Sequence, residues 1–413
     1  MADNKPKKIV ILGGSYGGIS TAHSLLKHVL PKLPKPSDYE VILISTSSQV
    51  LCRPACPRAM ISDDLFDQTK LFVDIAKQFE GYPKENFRFI HGSATELDHE
   101  TRKVSFKLEN GEVGSVSYHA LVIATGASTV SPLLGLNGDA KDLKAEWEAF
   151  RAALPTAKTI AISGGGPAGI EVAGELGEYL NGHPGWFSKT PTPKVSITVY
   201  TASSQILPAL RPSIAQDAEA LLSKLGVTIV KNTRVTSVEP LKGGEIQVPS
   251  KVGLTLSNNT KVEADLYIHA TGTSPNTSFL HSSLLTPSKR VETNPSTLRV
   301  DKAGPFVYAI GDVSSVARPA IHLILDSIPV LCTNIKRDLL LDAGVSESEV
   351  GAERVFKEDV RESQLVPIGR SKGVGAAMGW RLPGWLVWLI KGRDYWLWTT
   401  GGLWSGKQWA KES

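Results

Sequence analysis

Two glycine-rich turns, each set between an apolar strand and a small-residue helix, constrain this chain more than any other feature. The first lies in KIVILGGSYGGISTA, at Gly13 to Gly18, and the second in TIAISGGGPAGIEVAGEL, at Gly164 to Gly169. Such a turn belongs to a strand–turn–helix unit whose helix N-terminus faces a pyrophosphate. The strand before and the helix after make the pattern informative, since the glycines alone are weak evidence. Two turns imply two dinucleotides. The economical pair is a flavin that stays bound and a nicotinamide cofactor that reduces it.

At 413 residues the chain exceeds one domain. Its hydrophobic content of 41% and its 37 glycines suit large α/β cores. The net charge of +4, from 45 basic and 41 acidic residues, argues against a nucleic-acid partner. Three cysteines form no disulfide framework and point to a reducing compartment. MADNKPKK enters the first strand with no apolar leader, and residue 2 is Ala2 rather than glycine. Secretion and N-myristoylation are therefore not expected, and a cytoplasmic location is.

Apolar runs place buried parallel strands at 8–12 and 39–45, with a first helix over 18–30 and a Pro- and Lys-rich loop at 31–38. YHALVIATGA (118–127) and ADLYIHATGTSPN (264–276) repeat a strand followed by Ala-Thr-Gly. FVYAIGDVSSV (306–316) is a further strand, ending at Gly311-Asp312. The Pro- and Gly-rich stretch 181–194 reads as a surface excursion. The expected fold is α/β: two Rossmann-like dinucleotide-binding domains, the second inserted in the first, plus a small C-terminal region. The expected segments are 1–140 and 265–350 for the flavin, 141–264 for NAD(P)H, and a Trp-rich 351–413.

In the first turn Gly13 permits the bend and Gly18 lets the helix approach the strand. Gly14, Ser15, Tyr16 and Gly17 complete it, with Ser15 where a glycine usually meets the pyrophosphate. Thr125 and Gly126, ending the first Ala-Thr-Gly strand, join the candidate cofactor contacts. Ser45 stands where an acidic residue usually holds a ribose diol. Arg58 is a candidate to neutralise pyrophosphate charge. Gly164, Gly166 and Gly169 fit the second spacing fully, and Ala168, Ala173 and Gly174 keep that helix slim against its sheet. Glu171, in its first turn, points to the nicotinamide end or serves the helix macrodipole. The following strand ends in Thr201, Ala202 and Ser203. No adjacent carboxylate repels a 2′-phosphate and no adjacent arginine attracts one, so NADH against NADPH stays open. Asp312 is placed to accept from the flavin ribityl chain.

Cys52 and Cys56 follow the second strand, but three residues separate them, and no activating His-Glu pair occurs near the C-terminus. They read as structural thiols. The C-terminal region holds seven of the nine tryptophans. Its run PGWLVWLIKGRDYWLW combines an amphipathic segment with positive charge and is too short to span a bilayer. Three readings stay open: a membrane-surface element, a cover for the flavin, or a Trp-rich subdomain packed on the core. No metal site is expected.

These fingerprints, both Ala-Thr-Gly strands and the Gly-Asp motif resemble the two-dinucleotide-binding flavoprotein superfamily, of the pyridine nucleotide-disulfide oxidoreductase type. Residues 368–394, IGRSKGVGAAMGWRLPGWLVWLIKGRD, resemble its apoptosis-inducing-factor-like, ferroptosis-suppressor-like branch, which is related to type II NADH dehydrogenases. The resemblance covers nearly all of residues 8–398. It implies FAD, or a modified FAD, reduced by NAD(P)H, and a quinone-like electron acceptor. By position, Gly13 to Gly17, Arg58 and Asp312 match flavin contacts. Lys391 matches a lysine near the isoalloxazine, and Glu171 a carboxylate near the nicotinamide, making these two the candidate catalytic residues. Ser15, Ser45, the missing myristoylation glycine and the Trp-rich tail depart from the pattern.

The reading is an FAD-dependent NAD(P)H oxidoreductase that passes electrons to a small quinone-like acceptor, with peripheral membrane contact through the C-terminal region left open. The alternatives are a flavoprotein of specialised metabolism acting on one dedicated organic substrate, and a non-catalytic nicotinamide-sensing interaction protein. The sequence leaves the oligomeric state open.

Overall fold

The computed structural model describes residues 6–182, 193–240 and 251–412. Most of the surface excursion expected at 181–194 lies outside these residues. The first sheet has seven strands, in the spatial order Val307–Ala309, Ala120–Ile123, Lys7–Leu12, Tyr39–Ser45, Phe87–Asp98, Lys103–Leu108 and Val113–Ser117. The first five run parallel, and the last two extend the sheet antiparallel.

The inner parallel strands Ala120–Ile123, Lys7–Leu12 and Tyr39–Ser45 are mostly apolar because both faces are covered. Ile9, Ile11, Val41 and Leu43 pack on one side with Ile19 and Leu25. Ile328, Leu331 and Ile335 of a long later helix join them. Val10, Leu12, Ile42 and Ile44 pack on the other side with Leu97, Val104 and Phe106. Helix α1 (Tyr16–Ser24) runs on as a wider turn, Leu25–Val29, so the helix expected over 18–30 starts two residues early.

Between the strand Ala120–Ile123 and the strand Val307–Ala309 the chain builds a second parallel sheet. Its order is Val227–Val230, Ser196–Tyr200, Thr159–Ser163 and Leu266–His269. Leu266–His269 falls in the segment assigned from sequence to the returning flavin part. It pairs with Thr159–Ser163, so the return to the first sheet comes after His269. The interleaving of the two sheets is the arrangement of two Rossmann-like units, one set inside the other.

The C-terminal region is a three-stranded antiparallel sheet, Gln364–Ile368, Lys372–Ala377 and Trp380–Arg381, followed by short helical turns. It packs on α2 (Pro167–Asn181), the helix of the second glycine turn. A Cβ on Gly174 would stand 2.9 Å from the Gly369 nitrogen and 3.0 Å from the Ile368 Cα. The slimness of α2 at Gly174 thus admits the C-terminal strand, not the sheet of its own unit. No described helix is long and apolar enough to cross a membrane.

Candidate active site

The two glycine turns repeat one geometry. Gly13 has φ +112° and donates its N–H to Ile44 O at 2.8 Å. Gly164 has φ +120° and donates to Tyr200 O at 2.8 Å. A Cβ on either would lie 2.2 Å from a carbonyl oxygen, of Ala124 or of Ala270. Only glycine reaches this conformation and this closeness without strain. Gly18 and Gly169 serve helix packing, since a Cβ there would meet Gly13 O at 1.7 Å and Gly164 O at 2.1 Å.

The third position of each turn faces open space. Gly166 has no heavy atom within 4 Å of an added Cβ. Its counterpart Ser15 is exposed, caps α1 without a side-chain capping hydrogen bond, and turns toward the same cleft. Here backbone N–H groups at a helix N-terminus meet a space fit for a pyrophosphate. Both turns open onto one cleft of about 1100 Å³, which also takes in Gly14, Tyr16, Gly17, Thr125, Gly126, Asp312, Glu171 and Lys391. That volume is at the upper end of the range for single-ligand pockets, in keeping with two dinucleotides. The residues present therefore fit FAD on the first turn and a nicotinamide dinucleotide on the second.

Thr125 and Gly126 close the crossing between the two units. Thr125 Oγ1 donates to Asn276 O at 2.8 Å, and Asn276 Nδ2 donates to Thr125 O at 2.9 Å. Asp312 sits in the turn Gly311–Val313, where burial pushes its carboxyl above the usual range against the pull of Arg53 and Arg290. Arg53 Nη1 stands 3.8 Å from Asp312 Oδ2. It is the arginine of this segment that lines the cleft, and the sequence reading passed over it.

Arg58 does not line the cleft. It forms a two-pronged pair with Glu175, Nε to Oε2 at 2.9 Å and Nη2 to Oε1 at 2.8 Å, and lies over the Tyr395 ring. Tyr395 Oη donates to Glu175 Oε1 at 2.9 Å. The guanidinium expected at a pyrophosphate is thus spent on a buried carboxylate, because a charge taken out of water must be matched locally. Glu175 lies one turn beyond Glu171 on α2. That i, i+4 spacing was the signal available in the sequence.

Glu171 and Lys391 are each other's partners. Lys391 Nζ donates to Glu171 Oε1 at 2.5 Å and to Leu365 O at 3.1 Å. Burial raises the Glu171 carboxyl above its ordinary range, against the opposing pull of Lys391. On one face of α2 the Lys391–Glu171 pair therefore ties the C-terminal segment to the second unit and lines the cleft, while the Arg58–Glu175 pair ties in the first unit, with Tyr395 of the C-terminal segment bonded to the same carboxylate.

No tryptophan lines the cleft among the described residues. Trp380, Trp385 and Trp398 are exposed, and Trp388 donates its ring N–H to Arg370 O at 2.8 Å. Trp404 and Trp409 are buried. The Trp404 ring packs 4.7 Å from the Tyr16 ring, and His28 Nε2 lies 2.8 Å from Trp409 O. The last turns of the chain thus pack on α1.

Cys52 and Cys56 are buried and not joined. Burial pushes their thiols up to about 11 and about 12. Thiols so raised are neutral near pH 7 and make poor nucleophiles. No cluster of metal-ligating side chains occurs among the described residues.

The family model for pyridine nucleotide-disulphide oxidoreductases matches residues 6–331. The chain belongs to this family. Its FAD and NAD(P)H sites and its oxidoreductase class follow from that membership and from the two turns. The chain is 61% identical over 409 residues to oxidoreductase phnG of Penicillium herquei, covering 98% of each chain. It is 26% identical to human ferroptosis suppressor protein 1, over 94% of this chain and 92% of that one. The sulfide:quinone oxidoreductase of Aquifex aeolicus superposes with a TM-score of 0.71 at 16% identity, covering 97% and 92% of the two chains.

Proposed function

We propose that the protein passes electrons from a nicotinamide dinucleotide, through FAD, to a small quinone-like acceptor. The observation that carries this is the single cleft onto which both glycine turns and the Lys391–Glu171 pair open. FAD supplies the two-electron chemistry when bound. Gly13 to Gly17, Thr125, Gly126, Arg53 and Asp312 hold it in this reading. Gly164 to Gly166 hold the pyrophosphate of the donor.

Lys391 offers a cation to an acceptor whose oxygens gain negative charge on reduction. Glu171, its carboxyl raised above the ordinary range by burial, stands beside Lys391 in the same cleft. Lys391 brings the C-terminal segment to this side of the cleft. The sulfide:quinone oxidoreductase among the structural neighbours and the external NADH-ubiquinone oxidoreductase of yeast among the relatives lend support to a quinone-like acceptor.

A second reading, one dedicated organic substrate, is favoured by the tryptophans lying outside the cleft, whose aromatic lining is limited to Tyr16, Tyr200 and Phe279. Anaerobic mixing tests both readings. NADH or NADPH should bleach the yellow protein, and several unrelated quinones should each restore the colour quickly. Bleaching without recovery by any quinone would leave the dedicated substrate.

A further inference from the structure

The adenosine end of the second turn carries a feature that the glycine pattern does not. The strand Ser196–Tyr200 leads into Thr201, Ala202 and Ser203, all lining the cleft. A carboxylate here would accept from a ribose diol and repel a 2′-phosphate, and the segment has none. The fold sets Arg234 beside it instead. Thr201 N–H donates to Val230 O at 2.9 Å, Thr233 N–H to Thr201 O at 2.8 Å, and Asn232 N–H to Ser203 O at 3.1 Å. These three bonds hold residues 230–233 against the strand end, and Thr233 and the next residue, Arg234, both line the cleft.

The charges of the cleft are unevenly matched. Its arginine and lysine side chains are Arg53, Arg234 and Lys391, against two carboxylates, Glu171 and Asp312. Lys391 is paired with Glu171, and Arg53 stands 3.8 Å from Asp312. Arg234 has no carboxylate partner among the described residues, whereas nearby Lys231 is taken by Glu219 at 3.0 Å. An arginine without a carboxylate partner, lining the same end of a dinucleotide cleft as Thr201 and Ser203, suits a phosphate.

We propose that NADPH is the preferred electron donor, its 2′-phosphate received by Arg234 with the hydroxyls of Thr201 and Ser203. This rests on the nicotinamide reading of the second turn. The test titrates the FAD-loaded, full-length protein with 2′,5′-ADP and with 5′-ADP by calorimetry. The 2′-phosphorylated probe should bind about 10- to 100-fold tighter. Arg234→Gln should bring the two probes within about threefold of each other. It should also lower the NADPH-to-NADH ratio of kcat/KM by a similar factor. Ser203→Asp, at an exposed position, should weaken 2′,5′-ADP far more than 5′-ADP. Equal binding of the two probes to wild type, or an equal loss of both in Arg234→Gln, overturns the proposal. A flavin that neither nicotinamide bleaches would instead sink the oxidoreductase reading, and the nucleotide titration would still decide the phosphate site.

Discussion

Lys391 Nζ lies 2.5 Å from Glu171 Oε1, and the two buried side chains join the C-terminal segment to the helix of the second glycine turn at the wall of the cleft. Their charges compensate each other there. Removing one partner leaves the other uncompensated in a low-dielectric site, which typically costs about 3–5 kcal/mol.

Lys391→Met keeps the stem and removes the charge. Acceptor reduction should slow more than reduction by NAD(P)H, since the second turn is untouched. Stopped-flow measurement of the two half-reactions separates them, and wild-type values for both would reduce Lys391 to a structural cation. Stability should fall in the single variant and recover in Lys391→Met with Glu171→Gln. The pH sign follows from Glu171. Its folded pKa is raised, so the folded state holds the extra proton. In Lys391→Met, the Glu171 contribution to stability should be full below about pH 4.5 and be lost as pH rises through the folded pKa, a slope absent from Lys391→Met with Glu171→Gln.

Arg58 and Arg53 should part company. Arg58→Met strands the Glu175 carboxylate, so the melting temperature should drop sharply while the flavin content of folded protein holds. Arg53→Met should do the reverse. Absorbance ratios and thermal melts on the same preparations check this. Flavin loss in Arg58→Met at an unchanged melting temperature would return Arg58 to the pyrophosphate.

The glycines divide by what a side chain would meet. Gly18→Leu drives a side chain into Gly13 O and should yield colourless or insoluble protein. Gly164→Val meets Ala270 O at a positive φ and should compromise folding. Gly166→Val meets only the cleft, so the protein should be folded and yellow but no longer bleached by NAD(P)H. Normal bleaching of Gly166→Val would mean that the pyrophosphate lies elsewhere.

Cys52→Ser and Cys56→Ser should each keep acceptor reduction within a few-fold of wild type. Iodoacetamide should leave both thiols of the folded protein unmodified near pH 7, given their raised pKa values. Loss of turnover in both variants, with the flavin still reducible, would restore a disulfide mechanism.

His23 is fully buried, with Nε2 2.8 Å from Trp404 O and Nδ1 2.8 Å from Tyr82 Oη. Burial lowers its pKa to about 4. Its contribution to stability is complete above about pH 6.5 and is lost as pH falls through 4, on the order of 3 kcal/mol. Denaturant midpoints from pH 7 to pH 4 should show this decline, and His23→Gln should flatten it.

The two turns were legible in the sequence because their glycines answer local demands. A positive φ at Gly13 or Gly164, and a helix so close at Gly18 or Gly169 that a Cβ would stand 1.7 or 2.1 Å from the Gly13 or Gly164 oxygen, are set by a few consecutive residues. The apolar strands were legible for a similar reason, since a strand buried on both faces is apolar throughout. The segment Leu266–His269 read well as a strand, yet its sheet depended on which neighbour its edge met. Arg58 showed the same limit: its sequence position suited a phosphate, but the arrival of α2 placed Glu175 against it. The sequence by itself therefore determined that this chain folds around two dinucleotide sites and belongs with flavoproteins. Only the tertiary structure decided that Lys391 answers Glu171, that Arg53 faces the cleft in place of Arg58, and that Arg234 stands at the end of the strand Ser196–Tyr200. Charges taken out of water pair with whatever the topology brings near, and that choice is made between residues far apart in the chain.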